Sequence, residues 1–437
     1  MLNSLKLRNV GPAPCLDVRF APRLNLITGD NGLGKSFLLD VAWWALTRKW
    51  PQELNPRLTS GFAARPIDPK HKATIELDLS TKSRSTFEYV STYSRRDHSW
   101  AGKAGRPWNP GLVIYAQADG GFSVWDPKRN YWKTKSGLDI QDRLPGYAFA
   151  PEDVWRGLSV ESNGRTLEVC KGLLDDWSVW IRENGRHAEQ MAHLLKSLAP
   201  LDETLEVGPL QRLSVDEAQD VPSIRTAYSD SVPILHASSG IRRIVALAYM
   251  LQWSWIEHLR AAELLGEPPT KQVVMLFDEL ESHLHPRWQR TILRSVLEVA
   301  GTLHPEAQVQ LIAATHSPLV LASAEPFFNE RTDAWLDLDL DSSTSTVGLE
   351  QRHFVRRGTA GRWLTSQAFD LRSEGRSLEA ERAIEEAEAF LRELHRREQF
   401  EPSRLDSVDE ALRQTLPDID RFWIRWSAKV EELKAAQ

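Results

Sequence analysis

"LKLRNV" and "CLDVRF" alternate apolar and polar positions near the start of this chain, and "RLNLITG" runs apolar up to a glycine. Alternation of period two predicts half-buried strands; the third segment reads as a strand ending where glycine lets the backbone turn. "KSFLLDVAWWALTRKW" follows with apolar residues at helical spacing, giving strand, glycine loop and helix in succession. Further on, "KQVVMLFDE" and "VQLIAATHS" are apolar runs of strand length. Between them, "HPRWQRTILRSVLEVAGTL" carries its apolar residues at helix spacing. Strands alternating with helices predict an α/β core.

The pattern changes from about Pro51 to Trp132. "ATIELDLS" and "STFEYVSTYS" alternate like an antiparallel pair, and "GLVIYAQADGGFSVWDP" reads as two strands around a glycine turn. "RRDHSWAGKAGRPWNP" is basic, glycine-rich and reads as loop. Residues 152–200 look mostly helical, from "LLDDWSVWIREN" and "HAEQMAHLLKSLA". A long helix is expected from about Ile241 to Leu265. From Glu379 onward, "EAERAIEEAEAFLRELHRREQ" gives a solvated helix with an apolar stripe, followed by a last helix or pair. No tandem repeat stands out.

Composition narrows the class. With 41% hydrophobic and 26% charged residues over 437 positions, the chain can bury a large core and is not disordered overall. The stretch nearest to a membrane span, "IRRIVALAYMLQWSWIEHL", carries Arg242, Arg243 and Glu257 and reads as a buried helix. "MLNSLKLRNV" lacks the apolar core of a signal peptide. A cytoplasmic protein with no membrane partner is expected. Two cysteines, Cys15 and Cys170, are too few for a disulfide framework or a cysteine-based zinc site. The net charge of -6 argues against a surface coated in positive charge but leaves room for a local basic groove. Most of the 17 tryptophans are expected as core or interface anchors.

Four motifs carry candidate chemistry. "GDNGLGKS", Gly29 to Ser36, fits G-x-x-x-x-G-K-[ST] in full. Gly29, Gly32 and Gly34 let the backbone curl so that its N–H groups face phosphate oxygens, with Asp30, Asn31 and Leu33 between them and Phe37 just beyond. Lys35 would reach the β- and γ-phosphates and Ser36 would ligate Mg²⁺. In "VVMLFDELESHLHP" a buried strand ends in Asp278 and Glu279. Asp278 could hold the Mg²⁺ shell beside Ser36, and Glu279 could orient or deprotonate a water. In "HASSGIRRI", Ser238, Ser239 and Gly240 precede the long helix, where backbone N–H groups take a phosphate or simply cap the helix. In "LIAATHSPLVL", His316 closes an apolar strand and could hydrogen-bond a γ-phosphate.

Together "GDNGLGKS", "SSGIRR", "LFDELESHLHP" and "ATHSP" resemble the ATP-binding cassette ATPase superfamily. The resemblance implies an α/β phosphate-loop head that binds ATP with Mg²⁺. It also implies a head-to-tail dimer, or a higher homo-oligomer, in which Ser238–Gly240 of one subunit completes the site at Gly29–Ser36 of another. It departs from the superfamily where leucine-serine-glycine-glycine reads alanine-serine-serine-glycine, and where His285 stands at a position commonly held by aspartate. The "DExExxLHP" form resembles the overcoming-lysogenization-defect type of cassette ATPase. Gln117 in "VIYAQADGG" is the candidate for the glutamine that contacts Mg²⁺; a surface glutamine is the alternative.

On that resemblance the chain divides into five segments: residues 1–50 as the first part of the ATPase head; 51–150 as a β-rich insertion; 151–234 as a mainly helical subdomain; 235–350 as the second part of the head; and 351–437 as a helical tail for partner docking. A transporter would be shorter between its first two motifs, and a structural-maintenance or break-repair ATPase would interpose a long heptad coil. "WLDLDLDSS", with Asp337, Asp339 and Asp341, suggests either a metal cluster or a strand with one solvated face. The tail "WLTSQAFDLRSEGRSLEAERAIEEAE" resembles those of defence ATPases encoded beside a nuclease, such as the ATPase of the Septu anti-phage system. This implies an HNH-type nuclease partner, with DNA or tRNA as eventual target. A stand-alone DNA-repair ATPase that clamps DNA is the alternative, and an ATP-binding scaffold without turnover is a third. From Arg48 to Arg106 bases outnumber acids, including Arg57, Lys70, Lys72, Arg95, Arg96, Lys103 and Arg106, with Trp100 and Trp108 among them. Such interleaving either grips nucleic acid or is an ordinary charged surface over anchoring tryptophans.

Overall fold

The computed structural model describes residues 1–80, 86–102, 108–135, 138–143, 146–162, 164–303, 305–341, 343–395 and 402–435. The chain forms two compact units, Met1–Arg356 and Arg357–Gln437.

The larger unit is built on an eight-stranded sheet. Its spatial order is Gly146–Phe149, Phe122–Trp125, Leu112–Ala116, Gln272–Phe277, Gln308–Ala314, Leu24–Gly29, Asp333–Asp341 and Thr346–Arg352. The strands from Leu112–Ala116 to Asp333–Asp341 pair in parallel, and antiparallel strands close both edges. Leu24–Gly29 and Gln272–Phe277 are buried along their whole length. Parallel strands covered on both faces read as unbroken apolar runs, and this is why those segments lacked alternation.

A second, antiparallel sheet has the order Cys15–Arg19, Leu2–Arg8, Thr74–Ser80, Thr86–Ser94 and Ser99–Trp100. The helix Lys35–Thr47 is apolar on nearly every side. An all-round apolar helix must be enclosed. Trp43 and Trp44 share one core with Leu5, Leu7, Ile75 and Leu77 of the antiparallel sheet and Val274, Leu276 and Ile312 of the parallel one. Gln310 ties the two sheets: its amide oxygen accepts from Leu2 N–H and its NH₂ donates to the Leu2 and Ala21 carbonyls.

Residues 51–150, expected as a β-rich insertion, contribute strands to both sheets. Thr74–Ser80 pairs with the N-terminal strand, and Leu112–Ala116 pairs in parallel with Gln272–Phe277. The segment completes both sheets of the head. Residues 151–234 supply the expected helices Leu173–Glu183 and Arg186–Leu198, but also the hairpin Leu158–Ser162/Arg165–Cys170 and short strands from Glu206 to Pro233. The helix expected over "HPRWQRTILRSVLEVAGTL" is interrupted, as Pro286–Gln289 and Ile292–Leu303. The long helix runs Ser239–Leu264; the buried His258 pins it by bonding Asp126 Oδ1 at 2.8 Å and accepting from Thr270 N–H. Among the described residues, no helix is long and apolar enough to cross a membrane.

The "WLDLDLD" of "WLDLDLDSS" lies in the strand Asp333–Asp341 of the central sheet, but the first half of the strand is enclosed on both faces. Asp337 is buried, accepting from the Thr28 hydroxyl at 2.6 Å and from Arg352 Nε at 2.8 Å. Its carboxylate is thereby committed to a structural link between neighbouring strands. Trp100 and Trp108, each 8% exposed, are core anchors. Trp100 donates to the Ala64 carbonyl and packs near Trp44; Trp108 donates to the Ala45 carbonyl and packs on Phe87 and Tyr89. Their rings offer no stacking platform, which decides between the two readings of that stretch as far as the tryptophans go.

In the smaller unit, Leu378–His395, Pro402–Thr415 and Phe422–Ala435 are helices. Ala380, Ala383, Ala387 and Phe390 form the apolar stripe of the first and pack with Leu405, Val408, Leu412 and Trp426. The Trp426 N–H donates to Asp409 Oδ1, so the buried indole keeps a partner.

Candidate nucleotide-binding site

Four segments meet at the carboxyl ends of adjacent parallel strands, where open α/β sheets bind ligands. Gly29–Ser36 follows the strand Leu24–Gly29, Gln117 follows Leu112–Ala116, Asp278 follows Gln272–Phe277 and His316 follows Gln308–Ala314. Parallel pairing brings these ends into line although the sequence separates them widely. Asp278 N–H donates to the Ala116 carbonyl at 2.9 Å, and Thr315 N–H to that of Ile27 at 3.0 Å.

The loop strand delivers Gly29, and Gly34 caps the following helix at φ 97°. A side chain there would be strained by that φ, and a Cβ would lie 2.7 Å from Pro12 Cγ. Lys35, 5% exposed, bends back so that Nζ donates to the carbonyls of Gly29 at 2.6 Å and Asp30 at 2.8 Å. Burial lowers its pKa, and the carboxylates of Asp278 and Asp30 oppose that shift. Asp30, Asn31, Gly32 and Ser36 are exposed on the loop's outer face, while Leu33 is buried and Phe37 half-buried. The loop thus presents backbone and hydroxyl outward at a helix N-terminus, the arrangement that favours an anion.

The Ser36 hydroxyl lies beside the Asp278 carboxylate and favours its charged form. Burial pushes the Asp278 pKa up to about 6; Ser36 pulls against that, Glu279 reinforces it, and Lys35 and Arg243 oppose it. Asp278 Oδ1 is buried without a hydrogen-bond partner, and so are both amide atoms of Gln117, a residue only 1% exposed. Gln117 is therefore no surface glutamine. Buried polar groups are ordinarily paired, so three such orphans at one end of the sheet call for a ligand. Hydroxyl, carboxylate and amide oxygens are hard donors, and the set fits Mg²⁺ beside a phosphate. Ser36, Asp278 and Gln117 are the residues that would hold it.

Glu279 and His316 face each other, with Oε1 and Nε2 3.9 Å apart. Glu279 sits at φ 50° and His283 at φ 64°, left-handed conformations that cost non-glycine residues energy and recur at functional sites. Burial, then Lys35, lowers the His316 pKa, so a neutral ring at pH 7 offers one donor and one acceptor.

Ser238 and Ser239 are exposed at the start of the long helix, and Ser238 Oγ caps it by accepting from Ile241 N–H at 3.4 Å. Gly240 packs against the segment after Asp278: a Cβ there would lie 2.7 Å from the His283 carbonyl oxygen. Among the described residues, no hydrogen bond joins Ser238–Gly240 to the glycine loop of the same chain.

Three residues of the site carried no assigned role in the sequence. Glu281 is buried, and its Oε1 accepts from His316 N–H at 2.5 Å; the third acid of "DELES" was its only signal. Asp40, one helical turn after Ser36, accepts from the Tyr115 hydroxyl at 3.0 Å, and burial pushes its pKa up to about 7. Arg243, in "SSGIRR", donates to the carbonyls of Gln117 at 2.9 Å and Ala118 at 3.2 Å.

In the basic stretch, Arg57 is paired to Asp153 and Arg48 is packed over Trp108. Lys70, Lys72, Arg95 and Arg96 are exposed, with Arg95 donating to the His71 carbonyl. Lys103 and Arg106 lie outside the described residues.

Several known proteins are similar to this chain. Septu protein PtuA of Bacillus thuringiensis is 23% identical over 355 residues, covering 78% of this chain and 77% of that protein. A retron Vc95 probable ATPase of Vibrio cholerae serotype O1 biovar El Tor is 22% identical over 144 residues, 32% of this chain and 26% of that protein. Among solved structures, an SMC head bound to the C-winged helix domain of ScpA aligns over 80% of this chain and 97% of its own, at 14% identity and TM-score 0.42. The recombination mediator protein RecF aligns over 81% and 98%, at 13% identity and TM-score 0.37. The family model described as "AAA domain, putative AbiEii toxin, Type IV TA system" matches residues 24–322. That span takes in the glycine loop, the Asp278–Glu279 strand end and His316, and on it the chain belongs to this family and is an ATPase.

Proposed function

We propose that this ATPase works as a nucleotide-gated assembly in anti-phage defence. Two copies, or a larger ring, close head-to-tail over ATP and control a partner nuclease of the HNH type. The carrying observation is the set of buried, unpartnered polar atoms on Gln117 and Asp278 beside Ser36. The resemblance of the tail to defence ATPases and the likeness to the Septu protein support the defence role.

In this reading the N–H groups of Gly29–Ser36 hold the phosphates, and Lys35 turns its amine from the loop carbonyls onto the β- and γ-phosphates. Ser36, Asp278 and Gln117 hold Mg²⁺. When bound, the ion neutralises charge on the phosphate oxygens. Glu279 orients the attacking water and takes its proton; His316 hydrogen-bonds the γ-phosphate. Glu281 holds the backbone of His316 in place. Ser239 and Gly240 of the second copy complete the pocket. Because ATP binds the closed arrangement better than the open one, it shifts the population toward assembly, and slow hydrolysis reverses it.

Glu279→Gln is expected to retain ATP and lose turnover by about a hundredfold or more. In sedimentation, that variant should assemble on addition of ATP and Mg²⁺. Unchanged turnover removes Glu279 from the mechanism, and a chain that stays monomeric removes the head-to-tail assembly. Co-purification of an HNH nuclease encoded beside this chain tests the partner.

A second reading, a clamp that acts on DNA or tRNA by itself, draws on the exposed Lys70, Lys72, Arg95 and Arg96. Their contact would be electrostatic and steeply salt-dependent. Nucleic-acid-stimulated hydrolysis by the purified chain supports it; no binding at low salt eliminates it.

A further inference from the structure

A groove of about 650 Å³ lies at the end of the central sheet away from the nucleotide site. It opens between the last turns of the helix Ser239–Leu264, the hairpin Leu158–Ser162/Arg165–Cys170 and the edge strand Gly146–Phe149. The helix fixes its place: His258 accepts from Thr270 N–H, just ahead of the amino end of the strand Gln272–Phe277, and Leu264 lies further along. The buried Leu158 and Ala148 line the groove, while Leu264 is 87% exposed, Leu167 49% and Leu265 43%. Leucines gathered around a concavity and left in water mark a contact surface. Four basic side chains, Lys128, Arg129, Arg143 and Arg260, line it against Glu161 and Glu257. Lys128 pairs with Glu267, and the single Glu257 carboxylate is shared by Arg129 and Arg260. Arg143 is exposed over the Tyr131 ring and pairs with no carboxylate among the described residues. An occupant with apolar side chains and acids beside them suits this lining.

The chain itself carries such a surface. The short hairpin Gln211–Arg212/Asp220–Val221 ends in a tip, residues 213–219. Leu213 and Val215 stand exposed on that tip, and exposed Asp216 and Glu217 follow directly. The base of the tip is tied to the packed helix Leu173–Glu183. Asp220 accepts from Arg182 Nη2 at 2.5 Å, its carbonyl accepts from the Ser178 hydroxyl at 2.9 Å, and Gln219 donates to Asp175 Oδ1 at 2.9 Å. Arg212 closes the hairpin by donating to Asp220 Oδ1 at 3.0 Å. The two apolar side chains are thus held out into water by an ordered base. No residue of the tip lines the groove of its own chain, so the tip that fills a groove comes from another copy.

We propose that this chain self-associates by seating the 213–219 tip of one copy in the groove of a second. Leu213 and Val215 cover Leu167, Leu264 and Leu265, and Asp216 and Glu217 face Arg143 and Arg260. Complementary charge at the rim fixes register and speeds encounter, and the buried leucines supply affinity. Tip and groove are different surfaces, so the contact is heterologous. Each added copy leaves one tip and one groove free, which builds a ring if the rotation closes and a filament if it does not. The contact uses no residue of the nucleotide site and needs no ATP. It therefore goes beyond the nucleotide-driven closure proposed above and stands or falls separately.

The test uses the full chain without nucleotide, in EDTA, by sedimentation velocity across a concentration series. Wild type is expected to self-associate, more weakly as salt is raised. Val215→Asp spoils the tip and Leu264→Asp spoils the groove; each should weaken association about tenfold or more. An equimolar mixture of the two variants retains one sound tip and one sound groove per pair. It should form a one-to-one dimer that cannot extend. Both positions are exposed, and unchanged thermal melting checks the folds. Should either variant fail to fold, charge reversal carries the test: Arg143→Glu with Arg260→Glu, or Asp216→Lys with Glu217→Lys, should weaken association, and all four changes in one chain should restore it. A wild type that stays monomeric throughout overturns the proposal and leaves the groove to a different protein. Association that survives both aspartate variants, or a mixture that remains monomeric, overturns the pairing of tip with groove. Assembly of Glu279→Gln on ATP and Mg²⁺ tests the nucleotide-driven closure by itself, so the failure of one reading is distinguishable from the failure of the other.

Discussion

Asp40 gives the pH dependence of this fold a specific origin. Its carboxyl accepts from the Tyr115 hydroxyl and lies near the Gly61 backbone, yet burial together with the nearby Asp278 pushes its pKa from 3.8 up to about 7. The folded chain therefore keeps a proton on Asp40 over a range in which the unfolded chain has released it. Stability from this group is fully present below the unfolded pKa and is lost as pH rises through the folded one. Between pH 5 and pH 7 the loss is about 2.3 kcal/mol, because the slope of about 1.36 kcal/mol per pH unit halves at the folded pKa, and it approaches about 2.7 kcal/mol by pH 8. Asp40→Asn preserves an acceptor for Tyr115 and removes the charge. Asp278, pushed up to about 6, titrates in both proteins, so most of its effect cancels in the comparison. Urea unfolding at pH 5 and pH 8 in EDTA, followed by tryptophan fluorescence, measures the difference. Wild type should lose about 2.7 kcal/mol more than Asp40→Asn across that interval. Parallel pH profiles would refute the reasoning, because they would mean that Asp40 ionises as freely in the fold as out of it.

Two other changes probe the site directly. Gly240→Ala places a methyl 2.7 Å from the His283 carbonyl, a backbone atom held between left-handed Glu279 and the following helix; we expect a loss of about 1–3 kcal/mol in urea unfolding together with reduced hydrolysis. Gln117→Ala removes two polar atoms that have no partner in the protein, so stability in EDTA should stay within about 1 kcal/mol of wild type. The Mg²⁺ concentration needed for half-maximal hydrolysis should rise about tenfold or more, and an unchanged requirement would detach Gln117 from the metal.

The glycine loop was legible because its chemistry is local. Eight contiguous residues carry the turn, the amine and the hydroxyl, and the strand before and helix after them follow from short-range periodicity. The Asp278–Glu279 strand end and His316 were legible for the same reason, as acid or imidazole at the close of an apolar run. The partners that complete them were not. Leu112–Ala116 reads in isolation as half of a hairpin, and it is one; that its other edge pairs with Gln272–Phe277, aligning Gln117 with Asp278, depends on a pairing between segments far apart in the chain.

Burial was equally hidden. Trp100 and Trp108 sit amid basic residues in the sequence, and composition alone could not separate a stacking surface from a core anchor. The helix Lys35–Thr47 lies between two sheets, and the strands that enclose these indoles come from elements well removed along the chain. The same holds for Asp337, whose alternating neighbours suggested a solvated face until Thr28 and Arg352 took up its oxygens. What the sequence determined by itself is where the glycine loop, the acidic strand end and the serine–glycine helix start lie, because each is written in a few adjacent residues. Only the tertiary structure decided which groups are orphaned, which are committed and which are joined, as Arg243 is to Gln117, because desolvation and long-range hydrogen bonds depend on what the rest of the chain folds against each group.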